Sequence, residues 1–177
     1  MTNSQDVAAS TSTSIHAQQG EAQPALVLVN LGTPTAPEPG PVRAFLREFL
    51  SDRRVIEMSP LLWKPILEGI ILRVRPREVA AKYRSIWMEE GSPLMHYTRE
   101  QARRLGERLP GVRVEVAMRY GQPSIGSVLD CLHADGVRRV AILPAYPQYA
   151  ASTVTTINDA VAQWIGRNRD GFEMRLH

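Results

Sequence analysis

Metal and nucleophile sites are built from histidine, cysteine and carboxylates held at short, defined spacings. The chain of 177 residues has four histidines, at 16, 96, 133 and 177. His16 lies in a polar N-terminal stretch and His177 is terminal. His96 follows the Gly91-Ser92-Pro93 turn, and His133 falls late in a helical pattern, where its cation suits the C-terminal dipole. None has Cys, Asp or Glu partners at metal-ligand spacing, and no Ser-His-Asp arrangement is legible. No catalytic residue and no metal ligand is assigned. The single cysteine, Cys131, excludes a disulfide framework and any multi-cysteine zinc or iron–sulfur site within the chain. With Leu129 and Leu132 beside it, Cys131 reads as a small core residue.

Phosphate-binding chemistry is equally thin. There is no G-x-G-x-x-G and no P-loop, and the start of the loop after the first apolar run, Gly32 to Pro37, has one glycine and two prolines. What remains is a set of aromatic and cationic residues in three short segments, Asn30 to Pro34, Met118 to Pro123 and Leu143 to Tyr149. They contain Tyr120, Tyr146, Tyr149, Arg119, amides and apolar side chains. Few polar groups on an apolar surface suit a flat, largely apolar ligand. Tyrosines that merely pack the loops, with satisfied hydroxyls, fit the same spacing.

The surrounding pattern places these segments together. Ala25 to Leu31 is a continuous apolar run broken by Gly32-Thr33-Pro34, which marks a strand buried on both faces. Helical spacing follows over Val42 to Leu50. Residues 59–75 are apolar but carry Lys64, Glu68 and Arg73; they either pack into a core or form an exposed apolar lip, and Pro65 would kink or restart a helix there. A helix is predicted from Arg77 to Trp87. Thr98, with Gln101, predicts a capping box opening a helix that runs to Leu109. Strands follow over Val112 to Val116, Val137 to Leu143 and Phe172 to Leu176, with helices over Ile125 to Ala134, capped by Ser124, and Ser152 to Ile165. The alternation predicts an α/β fold, a parallel sheet flanked by helices of flavodoxin-like type. Ligands of such sheets bind at the carboxyl ends of the strands, which gathers the three segments at one rim.

Composition narrows the partners. Apolar residues make up 44%, enough for a core, and 21 basic against 18 acidic residues leave +3, too little to argue for nucleic acid. All basic residues but Lys64 and Lys82 are arginines; they suit bidentate contacts with carboxylates or phosphates, but biased genomic composition is the preferred account of them. Residues 1–24, rich in Ser, Thr, Ala and Gln, are expected to be a disordered tail without a secretory signal. No transmembrane run is present, and the cytoplasm is the expected compartment, with association at a membrane surface open to residues 59–75.

Four motifs occur in order: L-V-N-L-G-T-P at 28–34, Y-R-S-I-W with G-S-P-L across 83–94, M-R-Y-G-Q-P at 118–123 and L-P-A-Y-P-Q-Y-A-A-S-T at 143–153. Together they resemble the signatures of the ferrochelatase family over residues 25–177. That resemblance implies insertion of Fe²⁺ into protoporphyrin IX to make protohaem, in an enzyme (a lyase) of two similar α/β domains with the porphyrin between them. Residues 25–177 match the first domain. The family's metal-handling histidine, in an S-x-H-[SG]-x-P stretch, and its glutamate lie in the second, and neither stretch occurs here. The chain alone is therefore expected to be inactive. A tetrapyrrole-binding half-domain without catalysis is the alternative, and a structural fragment with an exposed inter-domain face is a third.

Carried over by motif, Leu31 matches the residue facing the macrocycle, Tyr83 and Ser92 match propionate ligands, and Arg119 and Tyr120 match a cleft-lining pair. Tyr146 lies on the third rim loop. An arginine upstream of Tyr83 shares the propionate role, and either Arg73 or Arg75 fits it. Fe²⁺ enters as substrate, with no cofactor bound permanently. Animal members carry a cluster-ligating cysteine just after their Y-P-Q-Y stretch; Ala150-Ala151-Ser152 holds none, so no iron–sulfur cluster is expected. Residues 42–84 hold ten Lys and Arg against five Asp and Glu around the apolar 59–75 stretch. This fits the family's lip, which holds the macrocycle and can touch a membrane; an ordinary basic face over a core helix is the alternative.

Overall fold

A computed structural model describes residues 23–168 and 173–176. Most of the expected tail, and with it His16, lies outside the described residues, as does His177. Four parallel strands form one sheet in the order β2-β1-β3-β4. They are β1 (Ala25–Gly32), β2 (Arg113–Tyr120), β3 (Arg139–Pro144) and β4 (Glu173–Leu176). The apolar β1 run holds the centre because both its edges are paired: Asn30 lies opposite Met118 and Gly32 opposite Tyr120, while Val29 lies opposite Pro144. β2 runs further than its alternation predicts and carries Arg119 and Tyr120 on the strand end itself.

Successive strand residues face opposite sides. Val27, Val29, Ala117, Val140 and Ile142 meet Ile125, Leu129, Leu132, Ile157, Val161 and Trp164 from α5 (Ile125–Ala134) and α6 (Thr156–Arg167), the main core. α6 is entered through a π-helical turn, Ala151–Thr155. The alternate positions face α4 (Pro93–Arg108), where Asn30 Nδ2 donates to Thr98 Oγ1 at 3.0 Å. Thr98 is thus a buried residue inside α4 and not its cap. Ser92 caps the helix, its Oγ accepting from Met95 N–H at 3.2 Å, and Pro93 takes the first helical position, where no amide donor is needed.

Cys131 is exposed, against expectation. The buried face of α5 is set by Ile125, Val128, Leu129 and Leu132, at helical spacing. Position 131 falls on the far side of that stripe.

α1 (Pro39–Ser51) leads to a rod made of α2 (Pro60–Ile66), a π-helical turn (Leu67–Ile71) and α3 (Leu72–Ile86). Pro65 sits inside α2 without ending it, and the wider π-helical pattern begins two residues later.

Candidate functional site

The strand ends meet closely because two glycines allow it. Gly32, at φ 114°, lies against the Tyr120 carbonyl, and a Cβ there would come within 1.8 Å of that oxygen. Gly121, at φ 85°, approaches the Thr33 carbonyl, which would stand 2.9 Å from its Cβ. The carboxyl ends of β1 and β2 are thereby locked together.

α1 holds this rim from outside. Glu48 Oε2 accepts the Gly121 N–H at 2.8 Å. One turn on, Asp52 Oδ2 accepts from Arg119 Nη2 at 2.6 Å and from the Tyr120 hydroxyl at 2.8 Å. The Arg119 guanidinium lies 4.5 Å from the centre of the Tyr120 ring. Tyr120, expected beside Arg119 in the lining of a cleft, is enclosed within this chain. It is fully buried, its ring meets Phe49 edge-on at 5.1 Å, and burial together with the Asp52 hydrogen bond drives its pKa well above the usual tyrosine value. It is a support beneath the rim, because its hydroxyl has a carboxylate partner inside the protein.

Leu31 and Arg119 share strand parity with Val29 and Ala117, and Tyr146 packs on the same core cluster. These three therefore emerge on one side of the sheet end. Burial pushes the Tyr146 phenol up to about 12. Beyond Gly32, Thr33 borders a recess of about 210 Å³ with Trp87, Ser92, Arg99 and Gln122. Ser92 is buried at its edge, with its hydroxyl already capping α4. Among the described residues, three buried side-chain atoms have no hydrogen-bond partner within the protein: Thr33 Oγ1, Arg119 Nε and Tyr146 Oη. Each comes from a different rim segment. An unmatched buried polar group costs about 1–3 kcal/mol, and all three of these lie at the carboxyl ends of β1, β2 and β3.

The family model for ferrochelatase matches residues 23–176. The chain belongs to the ferrochelatase family. It is 51% identical over 165 residues to the ferrochelatase of Methylibium petroleiphilum, a match spanning 91% of this chain and 46% of that one. It is 51% identical over 144 residues to that of Klebsiella pneumoniae, covering 81% and 45%. With ferrochelatase 1 of Shewanella oneidensis it shares 49% over 157 residues, covering 86% and 47%. The chain spans about half the length of the curated relatives it matches. The parallel sheet flanked by helices agrees with the ferrochelatase domain.

In this ferrochelatase-family chain the remaining expected site residues lie on the rod. Arg73 and Arg75 are exposed on α3. Two positions apart on a helix, they leave it in nearly opposite directions. Tyr83 is half-buried against Trp87, ring centres 6.1 Å apart, and burial raises its pKa. The rod resolves the two readings of residues 59–75 by doing both. Leu67 and Leu72 are buried. Trp63 Nε1 donates to the Leu50 carbonyl at 2.7 Å, and Arg47 grips Glu68 with two bonds of 2.8 and 3.1 Å. On the other side Leu61, Leu62, Ile66, Ile70 and Val74 are exposed, Leu61 at 87%.

Among the described residues, no three His, Cys, Asp or Glu side chains converge as a metal site needs. Sequence reasoning missed Glu48, Asp52, Thr33 and Arg99. The signal for the first two was available: two carboxylates four residues apart on an amphipathic helix, hence on one face.

Proposed function

We propose that residues 25–177 form one wall of a porphyrin cleft in an enzyme that inserts Fe²⁺ into protoporphyrin IX, giving protohaem and two protons. The observation that carries this reading is the rim, where unpartnered Thr33, Arg119 and Tyr146 atoms gather at the strand ends that also carry apolar Leu31. A porphyrin is an apolar disc with two carboxylates on one edge. It calls for an apolar slot with hydroxyl and guanidinium donors at the mouth. Leu31 and Tyr146 would meet the ring and Arg119 its polar surroundings. Tyr83, Ser92 and one of Arg73 and Arg75 would bind the propionates. Fe²⁺ is a substrate in this scheme, and Ala150-Ala151-Ser152 offers no cysteine to a cluster.

Insertion requires the pyrrole lone pairs to tilt out of the ring plane and two N–H protons to leave. Grip at the edge can supply the bend, since binding energy at remote groups can be spent as strain at the reacting centre. Removing the protons needs a base. None of the residues assigned here is placed for that step, so these 177 residues are expected to bind without metallating. The exposed apolar stripe of the rod, flanked by Lys64, Arg73, Arg75 and Arg77, supports peripheral contact with an anionic membrane surface. No helix among the described residues is long and apolar enough to cross a membrane.

The test is a fluorescence-quenching titration with protoporphyrin IX beside an Fe²⁺-insertion assay on the same 177 residues. Saturable quenching with no metalloporphyrin formed is expected. Absence of quenching overturns the cleft-wall reading, and normal turnover overturns the division of labour.

A further inference from the structure

Asp52 makes more contacts than a helix end requires. It closes α1, its N–H donating to the Phe49 carbonyl at 3.4 Å, and its own carbonyl accepts from Val55 and Ile56 at 3.0 and 2.9 Å, opening the connection to the rod. Oδ1 accepts the Arg54 N–H at 2.8 Å, which fixes the side-chain rotamer. That bond alone would serve a turn and leave Oδ2 to solvent. Instead Oδ2 takes the Arg119 guanidinium and the Tyr120 hydroxyl. The two ionic side chains are largely enclosed, 11% and 18% exposed, unlike the open ion pairs of the surface.

The consequence falls on Arg119. One end of its planar guanidinium is tied through Nη2, and its face is set over the Tyr120 ring at 4.5 Å. A planar group held at one nitrogen and on one face keeps little rotational freedom. Nε is left buried without a protein partner.

We propose that Asp52 is a positioning residue: it acts through Arg119, setting the direction in which that guanidinium presents its remaining donors to a tetrapyrrole. Because Asp52 also begins the connection to the rod, the lip and the rim arginine share one anchor. This rests on the reading of Arg119 as ligand-facing, and the experiment separates the two.

Protoporphyrin IX is titrated by fluorescence quenching against the full chain and its variants, with folding checked by near-ultraviolet circular dichroism. R119A is expected to weaken binding about tenfold, the scale of a charge-assisted hydrogen bond. D52N should weaken it about fivefold through the same group, and D52N in the R119A background should add no more than about twofold. E107Q removes an equal charge from the exposed side of α4, where the carboxylate meets only Arg103, and should stay within about twofold of the parent. R119A binding like the parent overturns the reading of Arg119, and the inference with it. Weakened R119A beside an unchanged D52N, or D52N losing as much without Arg119 as with it, overturns the positioning role alone. An E107Q loss equal to that of D52N would make the effect one of net charge and overturn it too. Should D52N fail to fold, D52E keeps the charge and displaces it by one methylene; parental affinity in D52E overturns the inference, and weaker binding supports it.

Discussion

The Tyr146 hydroxyl is buried and has no partner in the protein. That gives Tyr146→Phe an unusual expectation. Removing most buried tyrosine hydroxyls loses a bond, but here it removes only an unmet desolvation cost. Stability should stay within about 1 kcal/mol of the parent or rise, while quenching by protoporphyrin IX weakens. Urea denaturation and titration of the same samples check both. The phenol also sets a pH dependence. Its folded pKa, about 12, lies above the ordinary value of 10.0 because burial disfavours the phenolate. The unfolded chain therefore ionises first. This contribution is complete below the unfolded pKa and disappears as pH rises through the folded one. Tyr146→Phe should make the fall in stability between those values shallower, with Tyr83 and Tyr120, also raised by burial, still contributing theirs. At this scale the sequence showed residue types and not depth. Tyr146 and Tyr120 look alike in their motifs, yet Tyr120 found a carboxylate on α1 and became fully buried. Nothing within M-R-Y-G-Q-P announces Asp52, which is distant in sequence. Cys131 is the opposite case: its exposure was readable from the stripe Ile125, Val128, Leu129 and Leu132, and adjacency to two leucines was the wrong criterion.

Among the elements, the rod carries the clearest conflict between sequence and solvent. Leu62, Ile66, Ile70 and Val74 recur every fourth residue and are all exposed. The buried attachment lies opposite, through Trp63, Leu67 and Leu72. Leu62 and Ile70, 66% and 61% exposed, contribute little to packing and can be changed without unfolding the chain. Leu62→Ser with Ile70→Ser should leave stability within about 0.5 kcal/mol per site, yet reduce cosedimentation with vesicles containing anionic lipid. Equal cosedimentation of variant and parent would remove the membrane role from the lip. Local pattern misjudged this region for a physical reason. Proline at 65 lacks the amide that a regular helix uses, but a π-helical turn follows and the chain remains helical. It misjudged α4 similarly. Ser92 and Thr98 both offer an oxygen to a helix start, and the choice was made by tertiary structure: Thr98 is engaged by Asn30 from β1, which leaves Ser92 to cap.

For the molecule as a whole, alternation of strands and helices was enough to imply a parallel sheet with helices on both faces. It was not enough to show how unequally the faces are covered. α5 and α6 cover one face with a continuous core, in which Leu129 and Trp164 are buried. On the opposite face, among the described residues, α4 lies beside β1 and β2 and leaves the floor offered by β3 open. Two grooves of about 540 and 390 Å³ run there, lined by Leu28, Leu105 and Leu143 in one and Leu26, Leu109 and Ala141 in the other. Parallel sheets normally bury both faces, so chemically similar side chains on this sheet carry different energetic weight. Leu129→Ala removes atoms from a closed cluster and should cost about 2–5 kcal/mol. Leu105→Ser, at the wall of the larger groove, should cost under about 1 kcal/mol, since little surrounds it to lose. Binding of a hydrophobic dye should respond in the reverse order: reduced by Leu105→Ser, and unchanged in the folded fraction of Leu129→Ala. Equal destabilisation by the two substitutions would mean that both faces are sealed to the same degree. The unequal result follows because stability in this molecule is concentrated on the face of the sheet that α5 and α6 close.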